Sequence, residues 1–276
     1  MNGRTQNGFT LIELSIVLVI IGLVVGGVVV GREVIEAAEM RAQVGEIDKI
    51  RTAVRTFGLQ YNCLPGDCAY ATRFFTATSQ PGQVTNGNGN GRIYGYGYNE
   101  NQGGDINVGW QGANSREWFR VFDHLAAANL TIVPQYDETT NLSNRAGVAY
   151  PRMKVNASPP ANIQGPGGIA IGYEPGKDYI QAGNKIRLGV CFYVPWGQNT
   201  PVFSCGLASQ SARVLDDKID DGLPYSGIAV ITAPAYIFRT PLSGIDETAG
   251  CAVYATNSYR PSTSTAQCAI SIVAGF

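Results

Sequence analysis

The chain has 276 residues, 45% of them hydrophobic, and its 20 basic and 21 acidic side chains leave a net charge of -1. That length supports one or two domains with a sizeable core, and the near balance of charge, with no basic block, excludes the electrostatic footprint of a nucleic-acid binder. Only 15% of residues are charged, while Gly (34) and Tyr (14) are prominent, a composition closer to a β- and loop-rich extracellular module than to a cytosolic helical enzyme.

The segment from Phe9 to Val30, FTLIELSIVLVIIGLVVGGVVV, holds 22 residues and a single charge, Glu13. At about 1.5 Å per residue it spans a hydrocarbon core of roughly 30 Å, which predicts a transmembrane helix. A secretory signal would have a shorter apolar run, a basic start and a small-residue cleavage site after it, whereas the polar residues before this run contain only Arg4. A carboxylate inside such a run costs about 2.5–3.5 kcal/mol on insertion scales, so Glu13 needs either hydration near the membrane surface or a partner.

The residues Gly8-Phe9-Thr10-Leu11-Ile12-Glu13-Leu14 resemble the N-terminus of type IV prepilins and type II secretion pseudopilins. These carry a short polar leader ending in Gly, then Phe, a glutamate four residues later and a long apolar helix. The resemblance covers residues 1–31. It implies cleavage between Gly8 and Phe9 by a membrane-embedded prepilin peptidase, N-methylation of Phe9, and pairing of Glu13 with the Phe9 amine of a neighbouring subunit. It also implies a chain anchored once in the inner membrane beside an assembly platform, then transferred into a periplasmic or cell-surface filament of itself or other pilins.

Beyond Gly31, Met40, Val44, Ile47, Ile50, Val54, Phe57 and Tyr61 recur at spacings of three and four with charges between them, so the helix is expected to continue as an amphipathic one to about Tyr61, where Leu64-Pro65-Gly66 ends it. The expected organisation is a leader at 1–8, a membrane and assembly helix at 9–31, its amphipathic continuation at 32–62, and a globular part at 63–276. The fold class is α+β, with the long helix packed on an antiparallel sheet.

In the globular part, Thr85–Asn107 is rich in Gly and Asn and reads as a flexible surface loop. Residues 117–130 have helical spacing, and His124, the one histidine, is expected on that helix as a surface or packing residue. Gly168–Tyr173, Lys185–Val194 and Gly227–Phe238 are the expected strands. Six cysteines lie as three close pairs, Cys63 with Cys68, Cys191 with Cys205, and Cys251 with Cys268. Proximity and the even count favour disulfides in an oxidising compartment along those pairs, although six thiols allow fifteen connectivities. A zinc site is disfavoured by the absence of Cys-x-x-Cys.

Leu64-Pro65-Gly66-Asp67, the Gly-Asn run, His124-Leu125 and Asp220-Asp221-Gly222-Leu223-Pro224 together resemble landmarks of a group of bacterial prepilin-like proteins. Asp216, Asp217, Asp220 and Asp221 could gather oxygen ligands for Ca2+, as in some pseudopilins; the plainer reading is a short helix ending in a turn, its carboxylates in water. No nucleophile elbow, phosphate loop or His-Glu-x-x-His occurs. The expected role is therefore a structural filament subunit rather than an enzyme, with no cofactor required, and with an adhesin or ligand-binding minor pilin or a membrane-anchored secreted enzyme as alternatives.

Overall fold

A computed structural model describes residues 10–75, 84–93, 117–130, 151–155, 168–174, 183–193, 200–202, 207–232, 251–253, 255–260 and 268–275. The first element is α1 (Leu11–Tyr61), a single helix of 51 residues and roughly 76 Å of axial rise. It stops at Asn62, which takes the left-handed conformation (φ 54°) and donates its N–H to the carbonyl of Gly58. That cap sits just before the expected Leu-Pro-Gly stop. The C-terminal half of α1 buries Met40, Gln43, Ile47, Ile50, Ala53, Val54 and Phe57. The three-to-four spacing thus identifies the face, with Gln43 and Ala53 added and with Val44 and Tyr61 at its partly buried edge.

After a 3-10 turn (Ala71–Arg73) come α2 (Glu117–Ala127), β1 (Gly168–Glu174), β2 (Gly183–Tyr193), β3 (Thr200–Val202), α3 (Ser209–Ile219), β4 (Ala229–Thr232), β5 (Ala252–Val253), β6 (Ser258–Tyr259) and β7 (Ala269–Val273). The main sheet has the order β1-β2-β7-β4, with β3 also paired to β2, and all its pairings are antiparallel. β5 and β6 form a separate two-stranded ribbon.

Cross-strand neighbours explain the sheet. Ile171 faces Ile186, which faces Ile272, which faces Ala229; Ile169 faces Leu188, then Ile270, then Ile231. These buried residues form apolar rows continuous with the buried face of α1, each large side chain contributing on the order of 2 kcal/mol by leaving water. The arrangement is the expected α+β fold of a long helix and an antiparallel sheet. Two of its joints are polar: the guanidinium groups of Arg51 and Arg55 donate to the carbonyls of Val273 and Gly275, 3.0 and 3.1 Å away, and so tie α1 to the end of β7.

The sequence patterns find β1 and β2 to within two residues and the start of β4; residues 233–238 of that expected strand lie outside the described residues. They miss β7, the strand that joins β2 to β4. Its Ala269, Ile270, Ser271 and Ile272 are all buried, so it has no polar-apolar alternation to betray it. Disulfides join Cys63 to Cys68 (Cα–Cα 5.1 Å), just past α1, and Cys251 to Cys268 (5.4 Å), between β5 and the start of β7. Cys205, and with it the Cys191–Cys205 pair, lies outside the described residues.

The Gly-Asn run is not a free loop over the part described. Asp67, within the first disulfide loop, is 2% exposed. Its Oδ1 accepts the backbone N–H groups of Gly89 (2.8 Å) and Asn90 (3.1 Å), and its Oδ2 accepts that of Gly91 (2.7 Å). Gly87 passes so close to Asp67 that a Cβ there would overlap the Asp67 backbone. α2 clamps the same run from the other side: Glu117 accepts the N–H of Asn88 (2.9 Å), and Arg120 donates to the carbonyl of Asn86 (2.8 Å). The remainder of the run, from residue 94 on, lies outside the described residues.

His124 closes this network. Its Nδ1 accepts the N–H of Gly66 (2.9 Å), so the ring proton sits on Nε2 and is donated to the carbonyl of Thr85 (2.9 Å). The ring stacks on Phe57 of α1 at 5.9 Å. Burial, which outweighs the Thr85 carbonyl's pull in the other direction and is helped by the Arg120 charge, lowers the imidazole to about 4. Both ring nitrogens are committed, the side chain is closed off from solvent, and it packs among Gly66, Thr85 and Phe57, as expected of a packing residue.

Two predictions follow from this network. Asp67→Ala removes the carboxylate acceptor of the Gly91 N–H and leaves Gly89 with the Asp67 carbonyl and Asn90 with Asn88 Oδ1; it should cost about 2 kcal/mol in chemical denaturation of the full chain in detergent, and Asp67→Asn, which keeps one acceptor, should cost less. His124 should remain neutral down to about pH 4, readable without ambiguity by NMR because the chain has one histidine. Because the folded value lies below the ordinary 6.5, the unfolded chain takes up the extra proton first. The stabilisation from His124 is therefore complete above about pH 6.5 and fades as pH falls towards about 4, by about 3 kcal/mol.

Candidate assembly helix and acidic turn

Among the described residues, the N-terminal half of α1 packs against no other element. Leu11 is 90% exposed, Leu23 72% and Val30 60%, and the large apolar residues between them are all more than half exposed. No side of this segment faces a core, which distinguishes it from the buried helix of a soluble protein. It is long and apolar enough to cross a membrane.

Thr10 and Glu13 form a reciprocal cap at the head of this helix. The Thr10 hydroxyl oxygen accepts the N–H of Glu13 (3.3 Å), while the Thr10 N–H and hydroxyl both donate to Oε2 of Glu13 at 2.8 Å. The Thr-x-x-Glu spacing is a capping box, legible in the sequence although the apolar run around it draws attention elsewhere. Glu13 is exposed, as the rest of the apolar stretch is. Gly8 and Phe9 lie outside the described residues. Gly22, Gly26, Gly27 and Gly31 leave open space where a side chain would stand, so another helix could approach closely there.

The four aspartates do not share one environment. Asp216 lies inside α3 and is fully buried, Asp217 is exposed, Asp220 caps the helix and Asp221 stands in the turn beyond it. The expectation of carboxylates in water therefore fails for Asp216. Oδ2 of Asp220 accepts the N–H groups of Ile228 and Ala229, which pins the start of β4 back onto the end of α3. Gly227 (φ 74°) passes so near that a Cβ would strike this carboxylate. Asp221 accepts the N–H of Leu223 (2.9 Å) and the hydroxyl of Ser226 (2.7 Å).

Asp216 accepts the hydroxyl of Tyr259 on β6 through Oδ2 (2.8 Å), while Oδ1 is buried without a hydrogen-bond partner. Burial raises Asp216 to about 7, an effect partly offset by the Tyr259 hydroxyl and increased by the Asp221, Asp220 and Asp217 charges. Sequence spacing singles out the aspartates but not Tyr259, which is 43 residues away and reaches them only through the fold.

Residues 3–29 match the family model of the prokaryotic N-terminal methylation motif. No curated protein and no solved structure matches the chain. The matched residues include Gly8, Phe9, Thr10 and Glu13 and most of the solvent-facing apolar stretch. The chain therefore carries at its N-terminus the signature of type IV prepilins and pseudopilins, on a helix that its own fold leaves uncovered.

Proposed function

We propose that this chain is a structural subunit of a type IV pilus or a type II secretion pseudopilus, held in the inner membrane by the first half of α1 and drawn from there into a filament. The observation that carries this reading is the helix from Leu11 to Ile35, with large apolar side chains exposed on every side. A bilayer satisfies it before assembly, and neighbouring α1 helices satisfy it afterwards. Residues 1–8 act as the leader, 9–31 as the membrane and assembly helix, 32–62 as its amphipathic continuation, and 63–276 as the part that faces the periplasm or the filament surface. The partners are a prepilin peptidase, further pilin subunits and an inner-membrane assembly platform.

Glu13 gives assembly its register. Inside an apolar filament core its carboxylate is costly unless a cation meets it, and the amine of a neighbouring Phe9 supplies one only at the correct axial offset. The Thr10 donors already engage Oε2, which lowers the cost of holding the carboxylate at the head of the helix until that amine arrives. No catalytic step enters this function.

Two measurements test it. Mass analysis of the N-terminal peptide from the membrane or filament fraction should show a chain beginning at Phe9 and bearing an N-methyl group; a start at Met1 or beyond residue 25 would remove the basis of the proposal. Glu13→Ala should be processed, inserted and disulfide-bonded normally, losing about 1 kcal/mol of helix capping at a site with no contact to the core. It should nevertheless enter sheared filaments poorly when expressed alone, and incorporation at the wild-type level would show that the Glu13 charge is not an assembly device.

A further inference from the structure

We propose that Asn86, Asn88 and Asn90 are latent deamidation sites, kept closed by Asp67 and Cys68, whose oxygen atoms engage the backbone nitrogens that would attack them. The stretch reads Asn86-Gly87-Asn88-Gly89-Asn90-Gly91, three Asn-Gly steps in succession. At such a step the glycine nitrogen, once it gives up its proton, attacks the carboxamide carbon of the asparagine. The N–Cγ bond forms, the Cγ–Nδ2 bond breaks, ammonia leaves, and water opens the resulting succinimide to aspartate or isoaspartate. A following glycine favours the attack, because no side chain crowds the ring that closes.

The fold cannot dispense with these glycines. A Cβ at Gly87 would overlap the backbone of Asp67, and Gly89 and Gly91 have φ of 75° and 80°, a region that residues with a side chain rarely enter. Burial does not shield the steps either, since Asn86 and Asn90 are exposed. Their protection lies in where the three glycine N–H groups go. Gly87 donates to the carbonyl of Cys68 (2.9 Å), Gly89 to the carbonyl (2.8 Å) and Oδ1 (2.8 Å) of Asp67, and Gly91 to Oδ2 of Asp67 (2.7 Å). Every nitrogen that could act as the nucleophile is thus bonded to one of the two residues that end the first disulfide loop. The Asp67 carboxylate acts twice, because it holds N–H groups and its charge disfavours the amide anion that the attack requires. The carboxamides are held as well: Oδ1 of Asn86 accepts the N–H and hydroxyl of Thr72, Oδ1 of Asn88 the N–H of Asn90, and Oδ1 of Asn90 the N–H of Arg92.

The protection lasts only while the run is docked. When the segment opens, the three steps react, and the product cannot return. Isoaspartate lengthens the backbone and moves the following N–H out of register with Asp67. Each new carboxylate also adds negative charge beside Asp67 and Glu117, the two buried acids that grip the run. Opening is thereby recorded as a permanent chemical change. This inference concerns the globular part and does not depend on the filament reading.

Purified full chain in detergent, aged at mildly alkaline pH and digested for mass spectrometry, should deamidate at each of the three steps at least about tenfold more slowly than a synthetic peptide of residues 84–93. Asp67→Ala takes the Oδ2 acceptor from Gly91 and leaves Gly87 its Cys68 carbonyl, so it should accelerate Asn90 at least about tenfold and Asn86 less. Asp67→Asn should show the same order in smaller measure, because its carboxamide oxygen serves the two donors at the Oδ1 position while its NH2 group faces Gly91. If circular dichroism shows that Asp67→Ala does not fold, Asp67→Asn decides. Wild-type rates equal to those of the peptide would overturn the proposal, and so would equal acceleration of all three steps, or of none, in a folded Asp67 variant.

Discussion

A helix with large apolar side chains on every side cannot remain in water, and the first half of α1 is such a helix in this chain. Leu11, Leu23 and Val30 have no core to enter. The hydrophobic effect acts on this segment as it does elsewhere, but the described residues supply nothing to satisfy it. Membrane or neighbouring subunits must do so. The polar features of the segment are consistent with both settings: Thr10 and Glu13 satisfy one another at its head, and glycines leave room for close helix contact.

The same helix has a second, opposite task below Gly31. There it becomes the spine of a conventional core, with Met40, Ile47, Ile50, Val54 and Phe57 buried against the remainder of the protein. Phe57 marks the deepest joint, touching Tyr61, Phe75 and the His124 ring. Around it the chain is held by hydrogen bonds to backbone groups rather than by strands. Asp67 gathers the Gly-Asn run, His124 links Gly66 to Thr85, and α2 closes over both. The described part of this Gly- and Asn-rich run is held in place because one buried carboxylate offers two oxygens to three successive N–H groups, each charge-assisted bond being stronger than a neutral one.

The acidic turn after α3 uses the same device. Asp220 and Asp221 spend oxygens on the turn that leads into β4, and Asp216 spends one on Tyr259. The difference lies in what is left over. Asp67 satisfies its neighbours with both oxygens, whereas Asp216 retains a buried oxygen with none. Two landmarks built on aspartate therefore differ in how fully their oxygens are used: one is a closed structural lock, the other keeps one buried oxygen unpaired.

Sequence by itself determined the apolar span, the motif around Gly8, Phe9 and Glu13, the extent of α1 to Tyr61, and the strands β1 and β2, because each is written in local spacing or in one uninterrupted run. It also picked out Asp67, the Gly-Asn run, His124 and the aspartates as landmarks without giving a physical reason for them. That reason is tertiary. Asp67 meets Gly89 across 22 residues, His124 meets Gly66 across 58, and Asp216 meets Tyr259 across 43, distances over which no local periodicity carries information. Only the folded chain could decide that the described part of the run is fixed rather than loose and that Asp216 is buried rather than wet. β7 belongs with them: buried on both faces between β2 and β4, it loses the alternation that marks a half-exposed strand, and its place in the sheet is set by its partners.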